Sequence, residues 1–266
     1  MAMIEVEGLR IAYQRVGDGP PVVLLHGYVG DGPTTWRRQI EALADEFTVV
    51  AWDAPGAGRS SDPPEGFGMA GYADSLAGFI AGLGLQRPHV AGLSFGGALA
   101  LELCRRHPAV PRTLVLASAY AGWGGSLSAE DTDHRLRQAL VLSDLSPDEF
   151  VDVLLPTMFS EDTPSDAVGE FGAAVRSMHP AGFRAMARAA AEDLRDALPC
   201  VNVPTLLVYG DQDVRAPLTV AEDLHAAISG STLVVLSDAG HVCNIEAAEE
   251  FNGAVRDFLR DHGTRP

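Results

Sequence analysis

Residues 89–101 read HVAGLSFGGALAL, which places a serine between two glycines at the point where the apolar pattern changes. The first five residues form a short apolar run typical of a buried strand, and the residues after Gly96 continue with the spacing of a helix. Glycines at positions 92 and 96 leave room for a turn tight enough to expose Ser94. The stretch therefore predicts Ser94 as a nucleophile on a strand-to-helix turn, with a small serine at a helix start as the alternative.

Outward from this turn, short apolar runs alternate with helical patterns. Two short antiparallel strands are expected at residues 3–6 and 9–15, and TTWRRQIEALADEF is expected to be one helix capped by Thr34 or Thr35. The further strand candidates are PVVLLHG, FTVVAWD, PHVAGLS, RTLVLAS, PTLLVYG and STLVVLSD. Strands that alternate with helices predict an α/β fold with a doubly wound, mostly parallel sheet of about eight strands and right-handed crossovers.

The alternation stops between residues 120 and 199, where no apolar β-run occurs. Amphipathic helical patterns fill this interval instead, at about 128–142, 147–159, 165–177 and 180–196. The sequence thus predicts a core domain made of residues 1–119 and 200–266, with a helical cap inserted at 120–199. Ligands of open α/β sheets bind beyond the carboxyl ends of the strands, so we expect the cap to cover a pocket there.

A serine hydroxyl needs a base to take its proton, and eight histidines compete for that role. His241 stands out because it lies in the loop directly after the last predicted strand, at the sheet edge where Ser94 emerges. The segment LLVYGDQDVRAP offers two carboxylates to orient the histidine, and we favour Asp213 over Asp211 because a helix start follows it at Pro217. Ser94, Asp213 and His241 thus each follow a separate strand.

Five segments carry a resemblance to a known family: LLHGYVGDGPTTW, WDAPGAGRSS, GLSFGG, YGDQDVRAP and DAGHVCNIEAAEEFN. In them the chain resembles the α/β-hydrolase fold superfamily, of the serine esterase and lactonase type, over essentially its full length. The resemblance implies a catalytic triad of Ser94, Asp213 and His241. It also implies an oxyanion hole formed by the backbone N–H groups of Tyr28 and Phe95, without a metal or organic cofactor.

The resemblance implies a carboxylic ester hydrolase that forms an acyl-enzyme on Ser94 and cleaves a small, largely apolar ester. A serine at the turn argues against haloalkane dehalogenases and epoxide hydrolases, which resemble this architecture but carry an aspartate there. An enol-lactone type lactonase, a carbon–carbon bond hydrolase, a perhydrolase side activity and a non-catalytic ligand receptor stay open. The cap residues expected to line the pocket are Trp123, Met158, Phe159 and Met186.

The formal net charge is −17, from 19 basic and 36 acidic residues. This excess of acid argues against a nucleic-acid surface and against docking on anionic lipid. The partner that the resemblance implies is a small-molecule ester or lactone. The three cysteines, Cys104, Cys200 and Cys243, show no metal-ligand spacing. The start of the sequence shows no pattern of a signal peptide, and no apolar run reaches about 18 residues, so we expect a cytoplasmic protein with no membrane span. We expect a monomer or a homodimer.

Overall fold

One eight-stranded sheet runs through the computed structural model, which describes residues 1–161 and 163–263. Position 162 of the expected cap and positions 264–266 of the expected core lie outside the described residues. The strands are β1 (Ala2–Val6), β2 (Leu9–Val16), β3 (Pro21–Leu25), β4 (Thr48–Trp52), β5 (His89–Leu93), β6 (Thr113–Ala117), β7 (Thr205–Gly210) and β8 (Thr232–Leu236).

The strand order is β1-β2-β4-β3-β5-β6-β7-β8. β1 and β2 are antiparallel to each other, β2 is antiparallel to β4, and every other pairing is parallel. All residues of β4, β5, β6 and β7 are buried, as expected for parallel strands that helices cover on both faces. The predicted fold class, a doubly wound and mostly parallel α/β sheet, is confirmed.

Helices connect the strands and cover the sheet. They are α1 (Gly32–Thr35), α2 (Arg37–Leu43), α3 (Gly68–Gly82), α4 (Phe95–Arg106), α5 (Trp123–Ser126), α6 (Ala129–Leu142), α7 (Pro147–Leu154), α8 (Ser165–Arg176), α9 (Pro180–Ala190), α10 (Leu218–Ala227), α11 (Cys243–Glu246) and α12 (Ala248–Asp261), with 3₁₀ turns at Leu155–Thr157 and Arg195–Cys200. None of the helices in the described residues is both long and apolar enough to cross a membrane.

The first helical segment differs from its prediction. The expected single helix is divided into α1 and α2 at Trp36, and neither Thr34 nor Thr35 caps it. The cap is Asp31, whose carboxylate accepts the backbone N–H of Thr34 at 2.8 Å. The physical reason is that Pro33 lies in the first turn, where a proline is favoured, so the helix begins earlier than the threonines suggest.

Two cap helices are shorter than predicted. The helix expected at 147–159 ends at Leu154 and passes into a 3₁₀ turn that contains Pro156, which has no N–H to continue an α-helix. The helix expected at 180–196 ends at Ala190, and a 3₁₀ turn with Pro199 follows it. Helices α5 to α9 occupy the interval between β6 and β7, and the carbonyl of Met158 reaches the loop after β8, where it accepts the N–H groups of His241 and Val242.

Candidate active site

Ser94 lies on a strained turn between β5 and α4. Its φ of 52° and ψ of −110° lie outside the regions that side-chain-bearing residues normally occupy, which costs about 1–3 kcal/mol. The turn is tight because a Cβ at Gly92 would lie 2.2 Å from the carbonyl oxygen of Gly96. The backbone N–H of Ser94 donates to the carbonyl of Ala117 at 2.8 Å, which fixes the turn to the end of β6. The predicted strand-to-helix turn is thus present, and only glycine fits at position 92.

Asp213 and His241 form a buried pair at the ends of β7 and β8. His241 Nδ1 lies 2.9 Å from Asp213 Oδ2 and 3.1 Å from Oδ1. Oδ1 also accepts the backbone N–H groups of Arg215 and Ala216, both at 2.8 Å. Burial acts to raise the pKa of Asp213, but His241 and these N–H groups outweigh it and hold the pKa below its usual value. The carboxylate is therefore ionised and fixes the orientation of the imidazole.

The structure distinguishes Asp213, the carboxylate favoured from the sequence, from its alternative Asp211. Asp211 is exposed, and its backbone N–H donates to Leu236 at 2.9 Å. Within the described part of the chain its side chain makes no hydrogen bond to His241. Asp213 lies in the loop that turns back from β7 toward the loop after β8, so its side chain is the one that meets the imidazole.

Tyr120 lies close to both Ser94 and His241. Ser94 lines a small cavity together with Tyr28, Phe95, Tyr120 and Trp123. The ring of Tyr120 lies 6.5 Å from the ring of His241, measured between centroids. Because Asp213 holds Nδ1 of the imidazole, Nε2 is the nitrogen left to take a proton. No hydrogen bond joins Ser94 Oγ to His241 in residues 1–161 and 163–263.

The backbone beside Ser94 offers two amide N–H groups. Neither the N–H of Tyr28 nor that of Phe95 donates a hydrogen bond to a described residue, and both residues line the cavity with Ser94. Gly27 lies against the serine, since a Cβ at Gly27 would be 4.0 Å from Ser94 Cβ. Two free N–H donors close to a nucleophile are one requirement of an oxyanion hole.

His26 sets the orientation of the amide at Tyr28. Its Nε2 accepts the N–H of Ala54 at 3.0 Å, so Nδ1 carries the proton and donates to the carbonyl of Gly27 at 2.6 Å. The peptide bond is trans, so the N–H of Tyr28 points opposite to that anchored carbonyl. Burial lowers the pKa of His26, which keeps the ring neutral in this tautomer. Sequence reasoning gave His26 no role, although its position at the end of a strand was the available signal.

The four predicted pocket residues are placed differently. Trp123 lines the Ser94 cavity and meets Tyr28 edge to face, with centroids 5.6 Å apart. Phe159 packs against Phe171 in the cap. Met158 and Met186 are buried, and neither they nor Phe159 line this cavity. The spacing of apolar residues could not separate these positions, because a helical cap also needs a core of its own.

Sequence reasoning missed Tyr120, Ala98 and Ala190, which line the cavity. Tyr120 follows β6 directly, which was the signal that would have found it. In the residues that the structure describes, no group of three or more His, Cys, Asp or Glu side chains is placed to hold a metal ion.

Comparisons with known proteins agree with this architecture. The family described as alpha/beta hydrolase fold matches residues 20–248. A thermophilic esterase from Thermogutta terrifontis has a similar structure, with a TM-score of 0.91, 30% identity, and coverage of 99% of this chain and 100% of that one. The enol-lactonase from Burkholderia xenovorans LB400 superposes with a TM-score of 0.88 at 27% identity, covering 97% and 100% of the two chains. The serine hydrolase BPHL of Mus musculus is 29% identical over 97% of this chain and 86% of its own length.

Proposed function

The chain belongs to the α/β-hydrolase fold family, and from this premise we propose that it is a serine hydrolase that cleaves a small, largely apolar carboxylic ester through an acyl-enzyme on Ser94. The observation that carries the proposal is the buried pair of His241 and Asp213, 2.9 Å apart, together with a serine held on a strained turn. A structural serine would not need this backbone strain, and a structural histidine would not need a buried carboxylate.

Acylation begins when Ser94 Oγ attacks the ester carbonyl carbon and His241 Nε2 takes the hydroxyl proton. Asp213 stabilises the imidazolium that forms and does not itself take the proton. The carbonyl oxygen becomes an oxyanion, which the N–H groups of Tyr28 and Phe95 stabilise. The tetrahedral intermediate then expels the alkoxide, and His241 gives it the proton, so that an alcohol leaves and the acyl group stays on Ser94.

Deacylation repeats these steps with water. His241 takes a proton from the water, the hydroxide attacks the acyl carbon, and the Tyr28 and Phe95 amides again stabilise the oxyanion. Collapse of the intermediate returns the proton to Ser94 Oγ and releases the carboxylic acid. No cofactor enters this cycle.

Lactone hydrolysis is the second candidate function, and the similarity to the Burkholderia enol-lactonase favours it. A lactone is a cyclic ester, so Ser94, His241 and Asp213 would have the same roles. The difference is that the leaving oxygen stays on the same molecule as the acyl group.

The test is hydrolysis of p-nitrophenyl butyrate by the wild-type protein, by Ser94→Ala and by Ser231→Ala as a matched serine control. We expect Ser94→Ala to lose at least about 10³-fold in kcat, and the control to keep wild-type activity. A fluorophosphonate should add its mass to the peptide that contains Ser94.

Two results would overturn the proposal. Turnover that survives in Ser94→Ala would place the nucleophile elsewhere. Stoichiometric binding of an ester or lactone without any turnover would favour a receptor that keeps the fold but not the reaction.

A further inference from the structure

The loop that carries His241 is held between the core and the cap. On the core side, Gln212 in the loop after β7 donates its backbone N–H to the carbonyl of Ala239 at 2.9 Å. On the cap side, the carbonyl of Met158 accepts the N–H groups of His241 and Val242, at 3.0 and 3.2 Å. The backbone N–H of His241 is therefore bonded to the cap.

Glu246, the last residue of α11, joins the same loop to the same part of the cap. Its Oε1 accepts the backbone N–H of Gly240 at 3.0 Å. Its Oε2 accepts the backbone N–H of Ser160 and the hydroxyl of Thr163, both at 2.7 Å. One carboxylate thus links the residue before His241 to two residues of the cap.

The charge of Glu246 serves these hydrogen bonds. Among residues 1–161 and 163–263, no basic nitrogen of Lys, Arg or His lies within 4.0 Å of its carboxylate, and the residue is partly buried. Hydrogen bonds to an ionised acceptor are roughly twice as strong as those between neutral groups. The carboxylate therefore holds two backbone N–H groups and a hydroxyl firmly, rather than pairing with a cation.

The contact between loop and cap leaves no room for a side chain at Gly240. A Cβ there would lie 2.9 Å from the backbone nitrogen of Ser160 and 3.1 Å from Oε1 of Glu246. The two backbones are thus packed directly against each other, and close packing transmits a displacement of one to the other.

Two sets of contacts place the imidazole of His241. Asp213 binds Nδ1 and so fixes the rotation of the ring. The backbone fixes where the ring lies, and the consecutive N–H groups of residues 240–242 all donate to Glu246 or to Met158. An error of about 1 Å in the placement of a reacting group can cost about 100-fold in rate. The contacts with the cap therefore bear on the proton transfer.

Building on the proposed function, we propose that Glu246 is a positioning residue for the reaction. It fixes the loop of His241 against Ser160 and Thr163 of the cap, so that Nε2 of the imidazole is in place to exchange a proton with Ser94. Glu246 acts through the backbone of the loop and does not line the Ser94 cavity. Its loss should therefore lower the rate of the reaction more than it weakens the binding of substrate.

The test measures kcat and KM on p-nitrophenyl butyrate. We expect Glu246→Ala to lower kcat by about 10- to 100-fold and to leave KM within about threefold. Glu246→Gln keeps one acceptor oxygen for the N–H of Gly240, so it should recover part of the loss. Thr163→Val removes only the hydroxyl of the cap and should lower kcat by about 2- to 5-fold. It should cost little more when Glu246→Ala is already present, because both changes break the same contact.

A spectroscopic measurement separates positioning from mere support of the fold. The proton between Nδ1 of His241 and Asp213 should give a far-downfield proton resonance, which is assigned by its loss in His241→Gln. Glu246→Ala and Glu246→Gln should shift or broaden this resonance, since they release the loop. A carboxylate that only stabilises the fold would leave it unchanged.

Glu192→Ala is the matched control, because Glu192 is also a cap carboxylate that accepts a backbone N–H of the core, that of Met69 at 2.9 Å. Its side chain makes no hydrogen bond to the loop of His241 within the described part of the chain. The control should keep kcat within about twofold of wild type and leave the downfield resonance in place. Thermal unfolding of each variant shows how much stability it has lost.

Wild-type kcat in Glu246→Ala, a rise in KM alone, or an equal fall of kcat in Glu192→Ala would overturn the inference and leave Glu246 as an anchor of the cap. If Glu246→Ala does not fold, kcat of Thr163→Val and the resonance of Glu246→Gln decide in its place. If Ser94 of the wild-type protein also fails to react with a fluorophosphonate, the proposed function fails as well; if Ser94 is labelled, only the inference does.

Discussion

The sheet edge and the helical cap hold their side chains in different ways. At the edge, backbone atoms decide positions: the N–H of Ser94 is tied to Ala117, and two N–H groups hold the carboxylate of Asp213. In the cap, contacts between side chains fix the positions: Arg135 is held by the hydroxyl of Tyr120 and by two aromatic rings. Backbone geometry is the same for many side chains, so positions at the edge depend little on side-chain packing, whereas positions in the cap depend on it.

The largest effect should come from a one-atom change in the pair that Asp213 forms with His241 at the sheet edge. Asp213→Asn keeps the shape of the side chain but removes the charge that orients and stabilises His241, so we expect kcat to fall by about 10³- to 10⁴-fold. Asp211→Asn, two residues earlier and exposed, should stay within about twofold of wild type. Initial rates on p-nitrophenyl butyrate measure the fall in kcat, and circular dichroism shows whether both variants fold. Loss of activity in Asp211→Asn instead would reassign the carboxylate.

The next effect concerns the backbone of the turn. A Cβ at Gly96 would lie 2.2 Å from the carbonyl oxygen of Leu25, the last residue of β3, and that backbone cannot move without shifting His26 and the loop after it. We expect Gly96→Ala to lower the free energy of unfolding by about 1–3 kcal/mol and kcat by at least about 100-fold. Urea unfolding and ester hydrolysis measure the two effects. Wild-type values for both would show that the edge is less rigid than the structure indicates.

The sheet edge and the cap also differ in how well the sequence predicts them. Strands of five or six apolar residues that alternate with helices permit few arrangements, so a doubly wound, mostly parallel sheet was predictable, although its strand order was not predicted. The position of Ser94 on a strand-to-helix turn and the pairing of Asp213 with His241 were predictable because each residue lies in the loop after a strand, and parallel strands place such loops at one edge. Their catalytic roles stay a prediction.

The cap was less predictable, because contacts between helices depend on which side chain fills which space. Phe159 and Met186 have the same apolar character as Trp123, yet only Trp123 lines the Ser94 cavity.

A smaller expected effect is a loss of stability at acid pH, and it concerns His89 at the start of β5. His89 in β5 is fully buried, and burial, the largest cause, together with Arg112 and His262, lowers its pKa from 6.5 to about 4. The unfolded chain takes up a proton at this histidine below pH 6.5, and the folded protein does so only near pH 4. Stability from this group is thus complete above pH 6.5 and is lost as the pH falls, by roughly 2 kcal/mol between pH 7 and pH 5.

His89→Gln keeps a polar side chain beside Thr113, which now bonds to Nδ1 at 2.8 Å, but removes the titration. We therefore expect the variant to lose less stability than wild type between pH 7 and pH 5, measured by urea unfolding at each pH. The exposed cap histidine His134 provides the control, and His134→Gln should follow the wild-type curve. An acid loss in His89→Gln as large as in wild type would assign it to other groups.

The smallest effect should be a gain, and it lies in the cap. Gly169 is exposed in the interior of α8, and a Cβ there would meet no atom within 4 Å. Gly169→Ala should raise the free energy of unfolding by about 0.5–1 kcal/mol, since alanine loses less conformational freedom in a helix, and it should leave ester hydrolysis unchanged. The same substitution at Gly96 is expected to do the opposite, so the pair measures how differently edge and cap tolerate one added methyl group. A fall in activity in Gly169→Ala would show that turnover needs a flexible α8, and the cap would then contribute to the reaction rate.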